Sequence, residues 1–196
     1  MLKLVMADYY GETEIIVHED FLTQEQAEHL IDVLESQAKS KWSINSQEED
    51  DYVLWDGKSV LLQQMDNLDI NVIIDLETRT RIIYESFYPE LANKVRQSSI
   101  FCINKFTEGD SMSVHTDRGP HSMNNDIIHG MVIYLNDDYQ GGEIHYPQQQ
   151  LSIKPKARSL VIHPAEEPYQ HGVLPVVRGN RYTITLFVHE LKDKNI

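Results

Sequence analysis

From residue 98 onward, the chain alternates short β-prone segments with turn-forming residues. Short runs of Val, Ile, Tyr, Phe and Thr, separated by Gly, Pro, Asn and Asp, are typical of β-sandwiches and β-barrels. In this half, strands are predicted over 98–106, 112–115, 128–135, 143–146, 151–153, 159–162, 170–174 and 181–189. We therefore expect the second half of the chain to form a β-rich core of the jelly-roll type.

The first half has mainly helical periodicity. Thr23 and Gln26 match a capping box, and apolar residues follow at helical spacing, which predicts a helix over 23–39. A second helix is predicted over 67–87 and ends before Pro89. Its apolar positions include Ile70, Ile73, Ile74, Ile82 and Ile83. With a short predicted strand at 13–17 in front of them, these helices favour an α+β, mainly β, fold in which the N-terminal helices pack on one sheet.

The length and cysteine content of the chain limit its organisation. At 196 residues, we expect a single domain over 1–196, with a helical portion at 1–97 and a jelly-roll core at 98–190. The single cysteine, Cys102, excludes an internal disulfide and suits a reducing compartment. No segment approaches the roughly 18 apolar residues of a membrane-spanning helix, and no signal peptide is recognisable. A cytoplasmic protein without membrane association is expected; the oligomeric state is not predicted.

The net charge of −14 bears on the choice of partner. Proteins that bind nucleic acid gain much of their affinity by neutralising phosphates, so this charge argues against a nucleic-acid partner. It is compatible with a neutral or basic polypeptide substrate, although an acidic surface also serves solubility.

Four residues in the β-rich half form a pattern typical of a metal site. His115 and Asp117 lie two positions apart at a predicted strand, so their side chains are expected on the same face. His171, from a distant strand, completes a 2-His-1-carboxylate set, which leaves coordination positions open on a ferrous ion. Arg181 offers a planar cation for an acidic co-substrate. The ligand set alone is also compatible with manganese, cobalt or nickel.

The same tripeptide pattern occurs once more, at His18-Glu19-Asp20. There, no histidine and arginine follow at a matching spacing, so a surface role is expected for His18 and Asp20. Of the other histidines, His129 is expected to be solvated in a loop and His163 to be structural.

Five sequence blocks resemble the prolyl 4-hydroxylase-like branch of the 2-oxoglutarate- and Fe(II)-dependent dioxygenases. The blocks are 114–117, 133–137, 141–144, 171–173 and 181–187. Residues 15–23, followed by a helix, are similar to the N-terminal portion of that family. The resemblance implies a double-stranded β-helix, and it covers most of the chain outside 42–96.

The resemblance also implies a catalytic site. Its Fe(II) ligands are His115, Asp117 and His171. Arg181 takes the distal carboxylate of 2-oxoglutarate, Tyr134 donates a hydrogen bond to the same carboxylate, and Thr183 adds a hydroxyl from the same strand face. The implied reaction consumes 2-oxoglutarate and O2 and releases succinate and CO2. Ascorbate is a candidate reductant for the enzyme.

Some positions depart from the family pattern. Relatives carry tyrosines where this chain has Phe106 and Met112, and often a tryptophan where it has Phe187. The chemistry is expected to be retained and the substrate preference to differ. The segment 42–64, which includes a predicted mobile acidic loop, is a candidate substrate lid, and 118–126 is a second determinant of pocket shape.

Three functions remain open at this point. The favoured one is hydroxylation of a prolyl residue in a peptide or protein, with hydroxylation of free proline or another small molecule as its close variant. A nucleic-acid demethylase of the same superfamily is disfavoured by the charge and by Phe187, where that branch carries a second arginine. The third is a non-catalytic jelly-roll binding module.

Overall fold

The computed structural model describes residues 8–9, 13–44, 57–98, 101–118 and 125–191. Within these residues the chain forms two α-helices and fifteen β-strands. The helices are α1 (Gln24–Glu35) and α2 (Ile70–Phe87). The strands are β1 (Asp8–Tyr9), β2 (Ile16–His18), β3 (Ser43–Ile44), β4 (Lys58–Leu61), β5 (Val95–Gln97), β6 (Cys102–Phe106), β7 (Met112–His115), β8 (Ile127–Tyr134), β9 (Gln140–Gly141), β10 (Ile144–Tyr146), β11 (Leu151–Ile153), β12 (Leu160–Pro164), β13 (His171–Val173), β14 (Val176–Arg178) and β15 (Arg181–Glu190).

The strands form a large sheet, a small sheet and a short ladder. The large sheet has the order β1-β2-β12-β8-β15-β6-β4-β3, and β5 also pairs with β15. The small sheet has the order β11-β10-β13-β7, and β9 pairs with β14. All of these pairings are antiparallel. The mainly β architecture predicted for the second half is confirmed.

The central strands of the large sheet are buried on both faces. In β8, Met131 and Ile133 face one hydrophobic cluster, while Val132 and Tyr134 face another. Successive strand residues point to opposite faces, so this alternation places one set of side chains toward the helices and the other toward the small sheet. The interior between the two sheets holds the polar groups described in the next subsection.

The two helices cover the outer face of the large sheet. Thr23 caps α1: its hydroxyl accepts a hydrogen bond from the Gln26 amide at 3.1 Å, and the Gln26 side chain accepts one from the Thr23 amide at 3.0 Å. This is the predicted capping box. Asp69 caps α2 by accepting from the Asn71 amide at 2.9 Å. Residues of both helices share a cluster with β6, β8, β12 and β15, which confirms that the N-terminal helices pack on one sheet.

Most isoleucines of α2 do not lie on its buried face. Its buried residues are Ile73, Leu76, Thr80 and Tyr84. Three of the isoleucines named in the sequence lie on the opposite side, with Ile70, Ile74 and Ile82 exposed by 59%, 53% and 51%. Tyr84 and Thr80 take the sheet-facing positions because each has an internal hydrogen-bond partner, His129 and the Leu76 carbonyl respectively.

The first half also contributes strands that the sequence did not indicate. Part of the predicted loop after Trp42 forms β3, which pairs with β4, and β4 in turn pairs with β6. The acidic run at 48–51, and most of the proposed lid between the two strands, lie outside the described residues. Among helices in the described part of the chain, none combines the length and the apolar character that a membrane crossing requires.

We predict that the sheet face under the helices dominates stability. Ile184 on β15 is fully buried in the cluster that the helices share, so Ile184→Ala is expected to lower the free energy of unfolding by about 2–5 kcal/mol. The matched control Ile82→Ala, on the exposed side of α2, is expected to change it by about 0.5 kcal/mol or less. Urea denaturation measures both, and equal effects would contradict the assigned packing.

Candidate active site

Two paired strands of the small sheet bring the predicted metal ligands together. His115 ends β7, His171 begins β13, and the two residues are directly opposite in the antiparallel register. The Asp117 carboxylate oxygen Oδ1 lies 3.6 Å from His115 Nε2 and 3.8 Å from His171 Nε2. One ligand atom from each residue fits within 4.8 Å of the others. The three side chains therefore surround a volume suited to a single ion.

Asp117 does not lie on the same strand as His115, although the two-residue spacing suggested that it would. The strand β7 ends at His115, and Asp117 belongs to the bend that follows it. The bend, rather than the alternation of a strand, turns the carboxylate toward the imidazoles. This difference leaves the predicted set of three residues intact.

Backbone carbonyls orient both imidazoles. His115 Nδ1 lies 3.0 Å from the Ser113 carbonyl oxygen, and His171 Nδ1 lies 3.2 Å from that of Tyr169. When Nδ1–H donates to a carbonyl, the lone pair of the neutral ring is on Nε2, the atom that faces Asp117. Metal-binding histidines usually donate their other ring N–H to a carbonyl, carboxylate or water in this way.

Burial and mutual charge set the protonation of these groups. Burial, reinforced by His163, lowers the pKa of His171, so its ring is neutral and able to bind a cation at neutral pH. Burial alone would raise the pKa of Asp117, but the surrounding imidazoles hold it below its ordinary value, so the carboxylate is ionised. Burial alone would also lower the pKa of His115, but contact with Asp117 and its charge raise it overall.

A glycine makes room for the carboxylate. A Cβ atom on Gly130, in β8, would lie 2.5 Å from Asp117 Oδ2 and 2.7 Å from His163 Cε1. Any larger residue would displace one of these two side chains. Because Gly130 pairs directly with His163 across β8 and β12, the large sheet forms the wall behind the three ligands.

The predicted anion-binding residues also come together. Arg181, at the start of β15, is only 2% exposed. Its guanidinium donates to the Tyr134 hydroxyl at 3.1 Å and to the Thr183 hydroxyl at 3.3 Å. Its Nε is buried and has no hydrogen-bond partner within the described residues.

The surroundings of Arg181 leave its charge available. The guanidinium carbon lies 5.2 Å from the ring centroid of Phe106 and 5.0 Å from that of Tyr134. Phe106, one of the departures from the family pattern, packs in a small apolar cluster with Met112, the other departure. A buried cation is normally paired, so a pocket with an unpartnered guanidinium nitrogen and two hydroxyls fits a carboxylate.

Three further polar residues of the interior were not predicted as part of the site. The hydroxyls of Tyr139 and Tyr146 are buried and have no partner among the described residues. The His163 ring is 1% exposed and lies 4.2 Å, centroid to centroid, from that of His171. The two tyrosines flank the Gly141-Gly142-Glu143 turn. Their position beside this motif block is the one feature of the sequence that could have marked them as site residues.

Other histidines are distributed differently from the prediction. His129 is not in a solvated loop: it is buried on β8, where its Nδ1 lies 3.0 Å from the Tyr84 hydroxyl. In the second His-x-Asp tripeptide, Asp20 is exposed and forms a 3.0 Å ion pair with Arg158, away from the three ligands. The expected surface role is therefore confirmed for Asp20.

One protein-family model matches the β-rich half of the chain. Residues 101–189 match the model of the 2OG-Fe(II) oxygenase superfamily, a segment that contains all three candidate ligands and Arg181. The ligand chemistry agrees with this match, since two histidines and a carboxylate with open positions are typical of non-heme Fe(II) oxygenases. No curated protein sequence gives a significant match.

Solved structures share the fold of this chain. A viral collagen prolyl hydroxylase from Paramecium Bursaria Chlorella virus-1, in a 2OG complex, matches with a TM-score of 0.70 and 15% identity over 92% of this chain and 98% of its own. A prolyl-4-hydroxylase from Pseudomonas putida matches with a TM-score of 0.72 and 15% identity over 92% and 95%. A prolyl hydroxylase from Trichoplax adhaerens, in complex with a hypoxia inducible factor peptide fragment, matches with a TM-score of 0.73 and 17% identity over 91% and 84%. These likenesses confirm the predicted double-stranded β-helix.

We predict that metal binding depends on Asp117 and not on the second tripeptide. Asp117→Ala is expected to weaken Mn(II) binding by more than about 100-fold, because even outer-shell partners of metal ligands contribute about 10–100-fold. Asp20→Ala, which removes the carboxylate from the other His-x-Asp pattern, is the matched control and should leave the affinity unchanged. Calorimetric titration under anaerobic conditions measures both, and equal affinities in the two variants would contradict the site.

Proposed function

We propose that this chain is a 2-oxoglutarate- and Fe(II)-dependent dioxygenase that hydroxylates a prolyl residue in a peptide or protein and releases succinate and CO2. The observation that carries the proposal is the placement of two complementary sites in one interior. A 2-His-1-carboxylate set lies between the sheets. The buried guanidinium of Arg181, whose Nε has no hydrogen-bond partner among the described residues, is held by Tyr134 on the inner face of the large sheet. 2-Oxoglutarate can bind a metal at one end and a guanidinium at the other.

Each residue has a role in this proposal. The iron ligands are His115, Asp117 and His171. Arg181 binds the distal carboxylate, assisted by the hydroxyls of Tyr134 and Thr183, with which it already forms hydrogen bonds. Fe(II) supplies the activation of O2 that drives decarboxylation of 2-oxoglutarate and hydroxylation of a C–H bond, and ascorbate is the proposed reductant.

The protein's own contribution is orientation and exclusion of water. The carbonyls of Ser113 and Tyr169 fix the two imidazoles before any ligand arrives. Arg181 is held by Tyr134, so one end of the co-substrate is positioned by a group that does not have to reorganise. His171 and Arg181 are buried between the two sheets, a position that would keep solvent away from reactive species.

A polypeptide substrate is the preferred class. The shared fold includes a prolyl hydroxylase bound to a peptide fragment and a viral collagen prolyl hydroxylase, which supports a peptide over free proline. The net charge of −14 is compatible with a neutral or basic polypeptide. With a single cysteine, we propose that the enzyme works in a reducing compartment such as the cytoplasm.

Turnover tests the proposed reaction. Anaerobically Fe(II)-loaded protein, on admission of air, should convert 2-oxoglutarate to succinate faster in the presence of a proline-containing peptide, and the peptide should gain the mass of one oxygen atom at proline. His115→Ala should abolish both products. Peptide-independent turnover that hydroxylates free proline would favour the small-molecule variant. Absence of turnover with every substrate would favour a binding module.

The role of Arg181 has its own test. Arg181→Met keeps a long side chain but leaves a buried carboxylate without its charge partner, an effect of about 3–5 kcal/mol, or roughly two to three and a half orders of magnitude in the Kd for 2-oxoglutarate. Arg178→Met removes an exposed arginine from the neighbouring strand β14 and is expected to leave that Kd unchanged. Calorimetry of the Mn(II)-loaded variants measures the difference. Equal Kd values would place the distal carboxylate elsewhere.

A further inference from the structure

Tyr146 has a hydroxyl that the fold itself does not use. Its side chain, on β10, is completely buried, and its Oη has no hydrogen-bond partner among the described residues. The ring packs in the apolar cluster between the sheets, where a phenylalanine ring would fill the same space. A buried hydroxyl without a partner is unfavourable because it has lost its hydrogen bonds to water. Packing therefore accounts for the ring and leaves the hydroxyl unexplained.

The position of Tyr146 connects the two parts of the site. Its ring centroid lies 5.7 Å from that of His171, one of the proposed iron ligands. It shares a cluster with Tyr134, whose hydroxyl accepts a hydrogen bond from Arg181. Tyr146 thus lies near a residue that would hold the metal, and in the same cluster as Tyr134, which holds Arg181.

We propose that the Tyr146 hydroxyl is a co-substrate contact, which donates a hydrogen bond to 2-oxoglutarate as it spans the metal ligands and Arg181. This inference rests on the proposed function and adds a binding residue from β10, a strand that carries none of the predicted site residues. Among the described residues the hydroxyl has no partner; in the proposed complex it gains an anionic acceptor.

The protonation of Tyr146 agrees with a donor role. Burial, with the nearby Tyr134 and Asp117, raises the pKa of Tyr146 well above its ordinary value, while Arg181 opposes the shift. The hydroxyl therefore keeps its proton throughout the working pH range. The groups that act on it come from both ends of the pocket.

The test separates stability from binding. Tyr146→Phe removes only the unpartnered hydroxyl, so the ligand-free variant is expected to have a Tm equal to or above that of the wild type. Its Kd for 2-oxoglutarate, measured by calorimetry on Mn(II)-loaded protein, is expected to rise about tenfold or more, because hydrogen bonds to charged groups are among the stronger ones. Its Mn(II) affinity should be unchanged.

Tyr84→Phe provides the matched control. Tyr84 is also a fully buried tyrosine, but its hydroxyl is 3.0 Å from His129 Nδ1 on the helical side of the large sheet. This variant should lose stability, because His129 loses its partner, while its Kd for 2-oxoglutarate stays at the wild-type value. Tyr146→Phe is therefore expected to raise the Kd for 2-oxoglutarate without lowering Tm, and Tyr84→Phe to lower Tm without changing that Kd.

The outcomes distinguish failure of the Tyr146 inference from failure of the proposed function. If Tyr146→Phe binds 2-oxoglutarate as tightly as the wild type, the inference is wrong and the proposed function stands. If the variant weakens Mn(II) binding as much as 2-oxoglutarate binding, Tyr146 acts by supporting His171, and the inference is also wrong. If the wild-type protein binds Mn(II) but not 2-oxoglutarate, the proposed function fails, and the inference fails with it.

Discussion

The antiparallel pairing of β7 with β13 is the contact on which the rest of the site depends. It places His115 opposite His171 although the two residues are far apart in the chain. A shift of this register by one residue would turn one of the imidazoles to the other face of the sheet. The large sheet supports this pair from behind, because Gly130 leaves space for the Asp117 carboxylate. Strand register therefore positions the two candidate histidine ligands. The bend after β7 and the space beside Gly130 position the Asp117 carboxylate.

The interior between the sheets concentrates polar groups that the fold leaves incompletely paired. Arg181 Nε and the hydroxyls of Tyr139 and Tyr146 are all buried, and none has a hydrogen-bond partner within the described residues. Buried polar groups are normally satisfied, so a cluster of exceptions is expected where a polar ligand binds. Apolar clusters lie on both faces of the large sheet that borders this region. The stability lost at these groups is consistent with a pocket preorganised for a dianion, in which ligand oxygens complete the hydrogen bonds.

Much of the site followed from sequence because its residues lie in short motifs with defined spacing. The His-x-Asp tripeptide, His171 and Arg181 were identified before the fold, and so was the capping box that begins α1. Contacts between distant segments were not accessible in this way. The burial of His129 depends on Tyr84 from a helix, and three of the isoleucines of α2 face solvent because other residues meet the sheet. The buried hydroxyls of Tyr139 and Tyr146, which have no partner among the described residues, are recognisable only once both sheets are in place, since periodicity predicts burial and not hydrogen-bond partners.

The central claim is that one interior binds a metal ion and 2-oxoglutarate side by side. Crystals grown anaerobically with Fe(II) and 2-oxoglutarate, with data collected at the iron absorption edge, test it most directly. The account predicts a single strong anomalous peak among His115 Nε2, His171 Nε2 and the Asp117 carboxylate, with 2-oxoglutarate extending from it to the Arg181 guanidinium. An iron peak at any other place, or 2-oxoglutarate density that does not reach Arg181, would contradict it.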